Sequence, residues 1–509
     1  MTKVKKIKKK TSFKINNFLI LLCLISSIYL IYRILQLGPI EPVIRYIVIG
    51  IILVINFFFF QMKQKLKKEF AIFLMIVFVL FNVGISFLVG RVYDAIDSIN
   101  KSKIVYSSSL VTLKENQIEE IDDVTGITIG LLNDTLSIDN YIIAKEIIED
   151  YKLENDNKIV LYDDLLKMLG DLYHNKIDSM LISSNYAVMF STTEGYNNIQ
   201  DDLKEIITKD KTVAKNDTVS DATNHSTTKP FSILLMGVDS EKDGLKKNAY
   251  ANGDALILIT FNPYTLNTTM MSIPRDSYLP ISCRNNQKNK LTHAGWYGTD
   301  CMMETIENTF GIDVNYYVKV NFKGVVNLVD ALGGVNVEVP KKLCTDNSDR
   351  MGKICIDRGQ QTLNGEQALV LARNRYDLVN GDIGRGYNQQ LLVKAMLQKL
   401  TTVRSVDQLL EIIDTVSNNL DTNLTTNEIL SFYNIFKNLM SANRYGDEIV
   451  NIEQIRLAGE GEMVYFKNLK MNLWSYMLDN NSIEKASQEM KINLEMESPT
   501  VIKEFAFSP

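Results

Sequence analysis

The chain has 509 residues, too many for one ordinary domain, and its formal net charge of −5 hides an asymmetry. Residues 1–100 hold 14 Lys+Arg against 4 Asp+Glu, a net of +10, which leaves 41 against 56, a net of −15, in residues 101–509. So acidic a main body argues against a nucleic-acid binder, because duplex affinity comes mostly from cationic contacts to phosphate.

The first segment, residues 1–92, reads as a basic tail and three transmembrane helices. The apolar spans are Phe18–Leu37, Tyr46–Met62 and Ala71–Gly90. The third has 20 residues and no charge, long enough to cross a bilayer. Arg33 and Arg45 flank the connection between the first two and must snorkel to the interface. Three spans with no small-residue cleavage site argue against a removable signal peptide. Six lysines lie within residues 1–10, and Lys63, Lys65, Lys67 and Lys68 lie in the second loop. The excess of positive charge assigns both segments to the cytoplasm. An odd number of spans then places residues 92–509 outside the cell, in a multi-pass membrane protein.

Residues 101–210 alternate strand-like and helix-like patterns. Ile127–Leu132, Ile159–Tyr162 and Ser179–Ile182 read as strands, Ile138–Leu153 and Leu165–Tyr173 as helices. This predicts a small accessory α/β domain with no catalytic pattern. Residues 211–230 are polar and read as a linker.

The stretch 231–290 organises the remainder. Three apolar runs rich in Ile, Val, Leu and Thr are separated by polar turns and predict three strands. Asp239 follows the first, Asp254 precedes the second and Arg275 follows the third. Antiparallel pairing of neighbours would gather these three at one end of one sheet. Two carboxylates and a guanidinium there suit a divalent cation and a phosphate; the alternative is that they simply mark turns. Asp254 is expected to be exposed at its strand start. Further on, Met302–Phe310 and Lys323–Leu332 read as helices, and Tyr316–Phe322 and Val335–Val339 as strands. His293 has no partner at metal-ligand spacing and reads as structural. If Arg373-Asn-Arg375 is extended, its two arginines share a side. Arg385 and Gln389 lie four apart near the start of a helix over Leu391–Leu400, so they share a face. Gly381-x-x-Gly384-x-Gly386 has the wrong order for a dinucleotide loop, and Ser482-x-x-Lys485 lacks the companions of a β-lactamase-type site. In residues 404–509, Asp407–Leu420 and Thr426–Met440 show helical spacing and Gln454–Leu457 reads as a late strand. The catalytic domain is placed at 231–445, with 446–509 an extension partly packed on it. Outside the spans there is no Cys-x-x-Cys; Cys283 with Cys301, and Cys344 with Cys355, are the expected bridges, four buried thiols the alternative.

Taken together, Gly-Val-Asp239, Gly253-Asp254, Ser272-Ile-Pro-Arg275-Asp276, Ala331-Leu-Gly-Gly334, Leu363-Asn-Gly-Glu-Gln-Ala368, Arg373-x-Arg375 and Asp382-x-x-Arg385-x-x-x-Gln389 follow one order. In that order they resemble the LytR-CpsA-Psr family, over about 231–400, and the anchor with its extra outer domain looks like the capsule-associated branch. The chain departs from the family pattern at Ser240-Glu241, Asn252 and Asn388, where arginines are frequent. The resemblance implies an α/β (α-β-α) extracytoplasmic catalytic domain with a central mixed sheet. It implies a phosphotransferase that moves a glycopolymer, of capsule, wall-polysaccharide or teichoic-acid type, from an undecaprenyl-pyrophosphate carrier to peptidoglycan through a phosphodiester. Phosphoryl displacement needs positioning and charge neutralisation above all. Mg²⁺ is accordingly assigned to Asp239 and Asp254. Arg275, Arg373, Arg375 and Arg385 are assigned to the pyrophosphate oxygens, with Gln389 a further phosphate donor. Asp276 or Asp382 would hold an arginine in place. Helices 323–332 and 391–400 would either flank a slot for the prenyl chain or form ordinary core. Two other classes compete: a non-catalytic polyprenyl-phosphate binding or scaffold protein, and a transcriptional attenuator, which the predicted topology and acidic body disfavour.

Overall fold

In a computed structural model, the described residues are 2–37, 42–61, 68–100, 104–135, 137–190, 193, 195–196, 198–213, 227, 229–238, 253–345, 352–374, 382–400, 402–403, 406–432, 451–467 and 470–497. Two compact units emerge, Met1–Asn100 with Leu424–Arg444, and Lys101–Asn423 with Tyr445–Pro509.

In the first unit, helices α1 (Thr2–Gln36), α2 (Pro42–Gln61) and α3 (Lys68–Asn100) are long and apolar enough to cross a membrane. Cys23, Leu30, Ile52, Met75 and Phe78 are buried between them, while Phe57, Phe73 and Leu80 point outward. Polar side chains join the bundle from inside: Asn56 Nδ2 and Asn82 Nδ2 both donate to Ser27 Oγ, at 2.8 and 3.0 Å. Arg33, expected to snorkel, lies 3.5 Å from Asp94.

The accessory α/β domain opens the second unit. Its sheet has the order β3-β2-β4-β1-β5, formed by β1 (Ile104–Leu113), β2 (Thr128–Leu132), β3 (Lys158–Tyr162), β4 (Ser179–Ser183) and β5 (Leu203–Val213). Helices α4 (Ile143–Asp150) and α5 (Leu165–Tyr173) make the two crossovers between parallel strands. β5 runs to Val213, three residues into the segment read as linker, of which 214–226 lies outside the described residues.

The domain expected to be catalytic is built on a mixed six-stranded sheet. Its strands are β6 (Phe231–Val238), β7 (Ala255–Phe261) and β8 (Thr268–Ser272), followed by the hairpin β9 (Tyr278–Ile281) and β10 (Gln287–Lys290) outside that sheet. Helix α6 (Thr299–Phe310) leads to β11 (Tyr316–Asn321) and α7 (Phe322–Ala331). The pair β12 (Val335–Val339) and β13 (Gly359–Leu363) precedes α8 (Gly365–Arg373), α9 (Asp382–Leu400) and α10 (Val406–Ser417). β14 (Leu420–Thr422) and β15 (Ile452–Arg456) form the sheet's two edges, giving the order β14-β11-β6-β7-β8-β15. A last hairpin, β16 (Gly459–Phe466) with β17 (Met471–Leu478), and helix α11 (Asn480–Asn493) complete it. The sixth strand lies beyond residue 445, where the sequence suggested the domain to end; five residues of short alternating pattern gave too little signal to join it to the sheet.

The two faces of the sheet bury alternate residues of each strand, as the pleat requires. Leu234, Met236, Leu256, Leu258 and Met271 pack on Ile306, Phe310 and Met490. Ile257, Met270 and Ile452 pack on Val393. Val329 of α7 and Leu392 of α9 share a further buried cluster. α9 starts nine residues before the helix read from the sequence, since its first two turns are too polar to show apolar spacing. Helix ends are capped by side chains: Asn321, Asn364 and Asp479 each accept a backbone N–H of the following turn. The Asp479 cap, with Ser482 Oγ accepting the Ala458 N–H at 2.8 Å, gives Ser482 a structural role. Both expected disulfides are present, Cys283–Cys301 and Cys344–Cys355. His293 is buried, stacked on Trp296 with 3.8 Å between ring centres and 2.6 Å from Asn289 Oδ1; burial and the nearby Lys290 and Arg275 charges hold it well below the usual histidine range.

Candidate active site

β7 runs antiparallel to both β6 and β8, so the carboxyl ends of β6 and β8 and the amino end of β7 coincide. β11 is parallel to β6 and β15 to β8, which brings their carboxyl ends to the same edge. A small open cleft lies there, lined by Asp254, Arg275, Arg385, Tyr387, Gln389 and Arg456 among others.

Asp254 is fixed by its own backbone: its N–H donates to Gly237 O at 3.0 Å. It is buried, at 8% exposure, not exposed as its position before a strand suggested, because α9 covers the strand start. Its Oδ1 accepts Arg275 Nη1, and Arg275 is equally buried. Arg385, in the first turn of α9, donates from Nη2 to the Asp254 carbonyl at 3.3 Å. Asp276 lies 3.6 Å from Arg275 Nε through Oδ2, an ion-pair contact beyond hydrogen-bond reach, and 2.9 Å from Lys290 Nζ through Oδ1. A guanidinium hydrogen-bonded to one carboxylate with a second carboxylate nearby is held in direction by both charges.

α9 is pinned to the sheet from below. Gln390 Nε2 donates to Met270 O at 3.2 Å and Ile455 O at 3.1 Å, tying β8 and β15 to the helix. Gly386 faces Ser272, where a Cβ would lie 2.3 Å from Oγ; only glycine allows this approach. Gln389 Nε2 donates to Ala372 O at 3.1 Å, joining the cleft wall to the end of α8. There Arg373, the last residue of α8 and not part of an extended run, stands over the Phe322 ring at 4.4 Å. Phe322 directly follows β11, so Arg373 is at the same end of the sheet.

The structure thus brings Asp254, Arg275, Arg385 and Gln389 together, with Arg373 nearby. Asp382 opens α9, one turn before Arg385. Asp239 and Arg375 lie outside the described residues. Two cleft residues escaped sequence reading. Arg456 ends β15 and covers the Tyr387 ring at 3.9 Å. The available signal was a single arginine closing a short strand, and a tyrosine two residues after Arg385. As for a metal, Asp254 Oδ2 is buried and has no hydrogen-bond partner among the described residues, which suits one ligand position. No group of three or more His, Cys, Asp or Glu side chains gathers among those residues.

Comparison with known proteins agrees with the motif order. A family model described as the LytR_cpsA_psr family matches residues 191–492. An uncharacterized protein of Staphylococcus aureus (strain NCTC 8325 / PS 47) is 36% identical over 274 residues, 52% of this chain and 62% of that protein. The polyisoprenyl-teichoic acid–peptidoglycan teichoic acid transferase TagU of Bacillus licheniformis is 31% identical over 293 residues, 57% of this chain and 85% of that one. The crystal structure of B. subtilis TagV superposes with a TM-score of 0.44 at 28% identity, covering 53% of this chain and 99% of that one. With more than half of its length matched by the family model, the chain belongs to the LytR_cpsA_psr family.

Proposed function

We propose that the protein is a membrane-anchored phosphotransferase that moves a glycopolymer from an undecaprenyl-pyrophosphate carrier to peptidoglycan. The observation that carries this reading is the convergence of Arg275, Arg385 and Arg456 on one open cleft with one buried carboxylate, Asp254, among the described residues that line it. Such a site attracts a doubly charged pyrophosphate diester. The TagU relative, named as a teichoic acid transferase, supports the choice of polymer class and acceptor.

In the reaction, an acceptor hydroxyl oxygen attacks the phosphorus nearer the sugar. The P–O bond of the pyrophosphate bridge breaks, polyprenyl phosphate leaves with the electron pair, and the hydroxyl proton passes to solvent. Arg275, restrained by Asp254 and Asp276, and Arg385, tied to the Asp254 backbone, hold the phosphate oxygens before and during displacement. Arg373 grips the same pyrophosphate from the end of α8, Arg375 is assigned to it from the sequence, and Gln389 donates to it while fixed to Ala372. Mg²⁺ held by Asp254 and Asp239 would neutralise charge on the pyrophosphate. Residues 92–509 lie on the outer side of the membrane, with the lysine-rich amino end in the cytoplasm.

The test is phosphodiester formation by the full chain in detergent micelles, from a prenyl-pyrophosphoryl saccharide to isolated peptidoglycan. Mg²⁺-dependent product with release of prenyl monophosphate is expected. Donor binding without any product would leave a carrier-binding protein instead.

A further inference from the structure

The hairpin β16–β17 has two unlike faces. Val464, Phe466, Met471 and Leu473 join the buried cluster that holds Phe190 of the accessory domain against Trp296 of the catalytic domain. The opposite face carries Met463, Tyr465 and Trp474, exposed by 56, 55 and 41%. Met463 and Trp474 are direct cross-strand partners. The indole lies across Gly461, where a Cβ would stand 2.7 Å from Trp474 Nε1. Glycine at 461 therefore lets the ring lie flat on the strand. Because the other side of the hairpin is core, the platform is held rigid without a ligand, and little ordering remains to be lost on binding. It also adjoins the cleft: Arg456 and Leu457 line the cleft, β16 begins two residues later, and the Tyr476 N–H donates to Asp276 O at 2.9 Å.

We propose that this face binds the saccharide backbone of the peptidoglycan acceptor, an oligomer of N-acetylated amino sugars, by stacking a pyranose ring on Trp474 with Tyr465 and Met463 beside it. The identity of the acceptor rests on the transfer reaction proposed above. Charge decides among occupants. The exposed charges on the hairpin are Glu460, Glu462, Lys467 and Lys470, which cancel. A polyanionic chain or an anionic bilayer would require a net cationic surface. An uncharged sugar ring requires a flat apolar face with polar groups at its rim, here the Tyr465 hydroxyl and the exposed Asn472 amide.

The chain has two tryptophans, and Trp296 is 0% exposed, so quenching of fluorescence by acrylamide reports on Trp474. The full chain in nanodiscs is titrated with a β-1,4-linked N-acetylglucosamine tetramer, and its cosedimentation with teichoic-acid-free sacculi is measured in parallel. Expected are protection of Trp474 by the tetramer and a loss of sacculus binding of tenfold or more in both Trp474→Ala and Gly461→Val. The second variant keeps the indole but displaces it. Binding of a prenyl-pyrophosphate donor, measured on the same variants, should stay within twofold of the parent. Wild-type cosedimentation by both variants overturns the proposal, as does a Trp474 already shielded by the nanodisc before saccharide is added, which would make the bilayer the occupant. Sacculus binding that depends on Trp474 in a protein showing no transfer would sustain this site and defeat the transfer reading alone.

Discussion

Two α/β sheets in this chain end in crevices that meet opposite fates. In the accessory sheet, β3 and β4 lie parallel to β2 on its two sides, so the chain changes direction at the carboxyl end of β2. Open α/β sheets ordinarily hold ligands at such a point. Here the catalytic domain supplies a side chain: Tyr297 packs against the cluster that includes Leu165 at the start of α5, near Asp134 and Asp164, and burial pushes the phenol above its usual range. In the catalytic sheet the corresponding end stays open and is lined by guanidinium groups. Topology makes a crevice in both sheets; the side chains that reach it make one a joint between domains and the other a site.

Asp254→Ala would break the open end most severely. The substitution leaves Arg275 buried beside one carboxylate instead of two, and removing one partner of a buried pair costs about 3–5 kcal/mol. Transfer should fall below detection, and the midpoint of urea unfolding should drop with it. Asp254→Asn, which keeps the shape but not the charge, should recover part of the stability and none of the transfer. Unchanged transfer at limiting Mg²⁺ in either variant would remove the metal assignment.

Arg373→Lys tests the cleft without touching the core, since Arg373 is exposed over Phe322. Lysine keeps the charge but loses the planar fork that stacks on the ring and that, in the proposed transfer, would grip two oxygens. Losing one charge-assisted hydrogen bond costs about 1.5–3 kcal/mol, or roughly ten- to a hundredfold in single-turnover transfer. The melting temperature should hardly move; a large drop would make Arg373 a structural residue.

Both ends of this comparison were unequally legible in the sequence. The catalytic strands were readable because short apolar runs of period two, bounded by Gly, Asp and Pro, are strong local signals, and motif order then located Arg275, Arg373 and Arg385. Burial of Asp254 was not readable: it depends on α9, 131 residues away, reaching over the strand start. Nor was the start of α9, since Asp382–Gln390 is polar where it faces the cleft and the sheet's hydrogen-bonding groups. β15 and Arg456 were half-hidden, because an edge strand of five residues carries little pattern of its own. The Tyr297 joint left no trace in sequence, as an aromatic filling a neighbouring domain's crevice looks like any core tyrosine.

The far end of the catalytic sheet gives a pH test of how this domain manages charge. Glu489 of α11 is 7% exposed and faces Glu453 of β15; burial first, and the neighbouring carboxylate second, push its pKa up to about 8. The folded state thus keeps a proton that the unfolded chain, near 4.5, releases. Stability from this group is full below about pH 4.5 and is lost as pH rises towards about 8. Glu489→Gln should flatten that dependence, stabilising the protein at pH 8 by on the order of 1–2 kcal/mol and little at pH 5. Parallel stability–pH curves for the two proteins would show that Glu489 is ionised in the fold.

Tyr297→Phe is the mildest test and bears most directly on the contrast between the two crevices. Phenylalanine keeps the ring, its packing in the buried cluster and the Arg284 guanidinium 4.6 Å above it. What it removes is the hydroxyl that faces the backbone of Leu165 at the start of α5, where N–H groups have no intrahelical partner. The expected cost is about 0.5–1.5 kcal/mol in unfolding free energy, the usual worth of one neutral hydrogen bond. Transfer should stay within twofold of the parent, because the substitution leaves every arginine and carboxylate of the cleft in place. If transfer instead fell tenfold while stability held, the accessory crevice would be part of the machinery and not merely a joint, and the division between a filled sheet end and a working one would have to be abandoned.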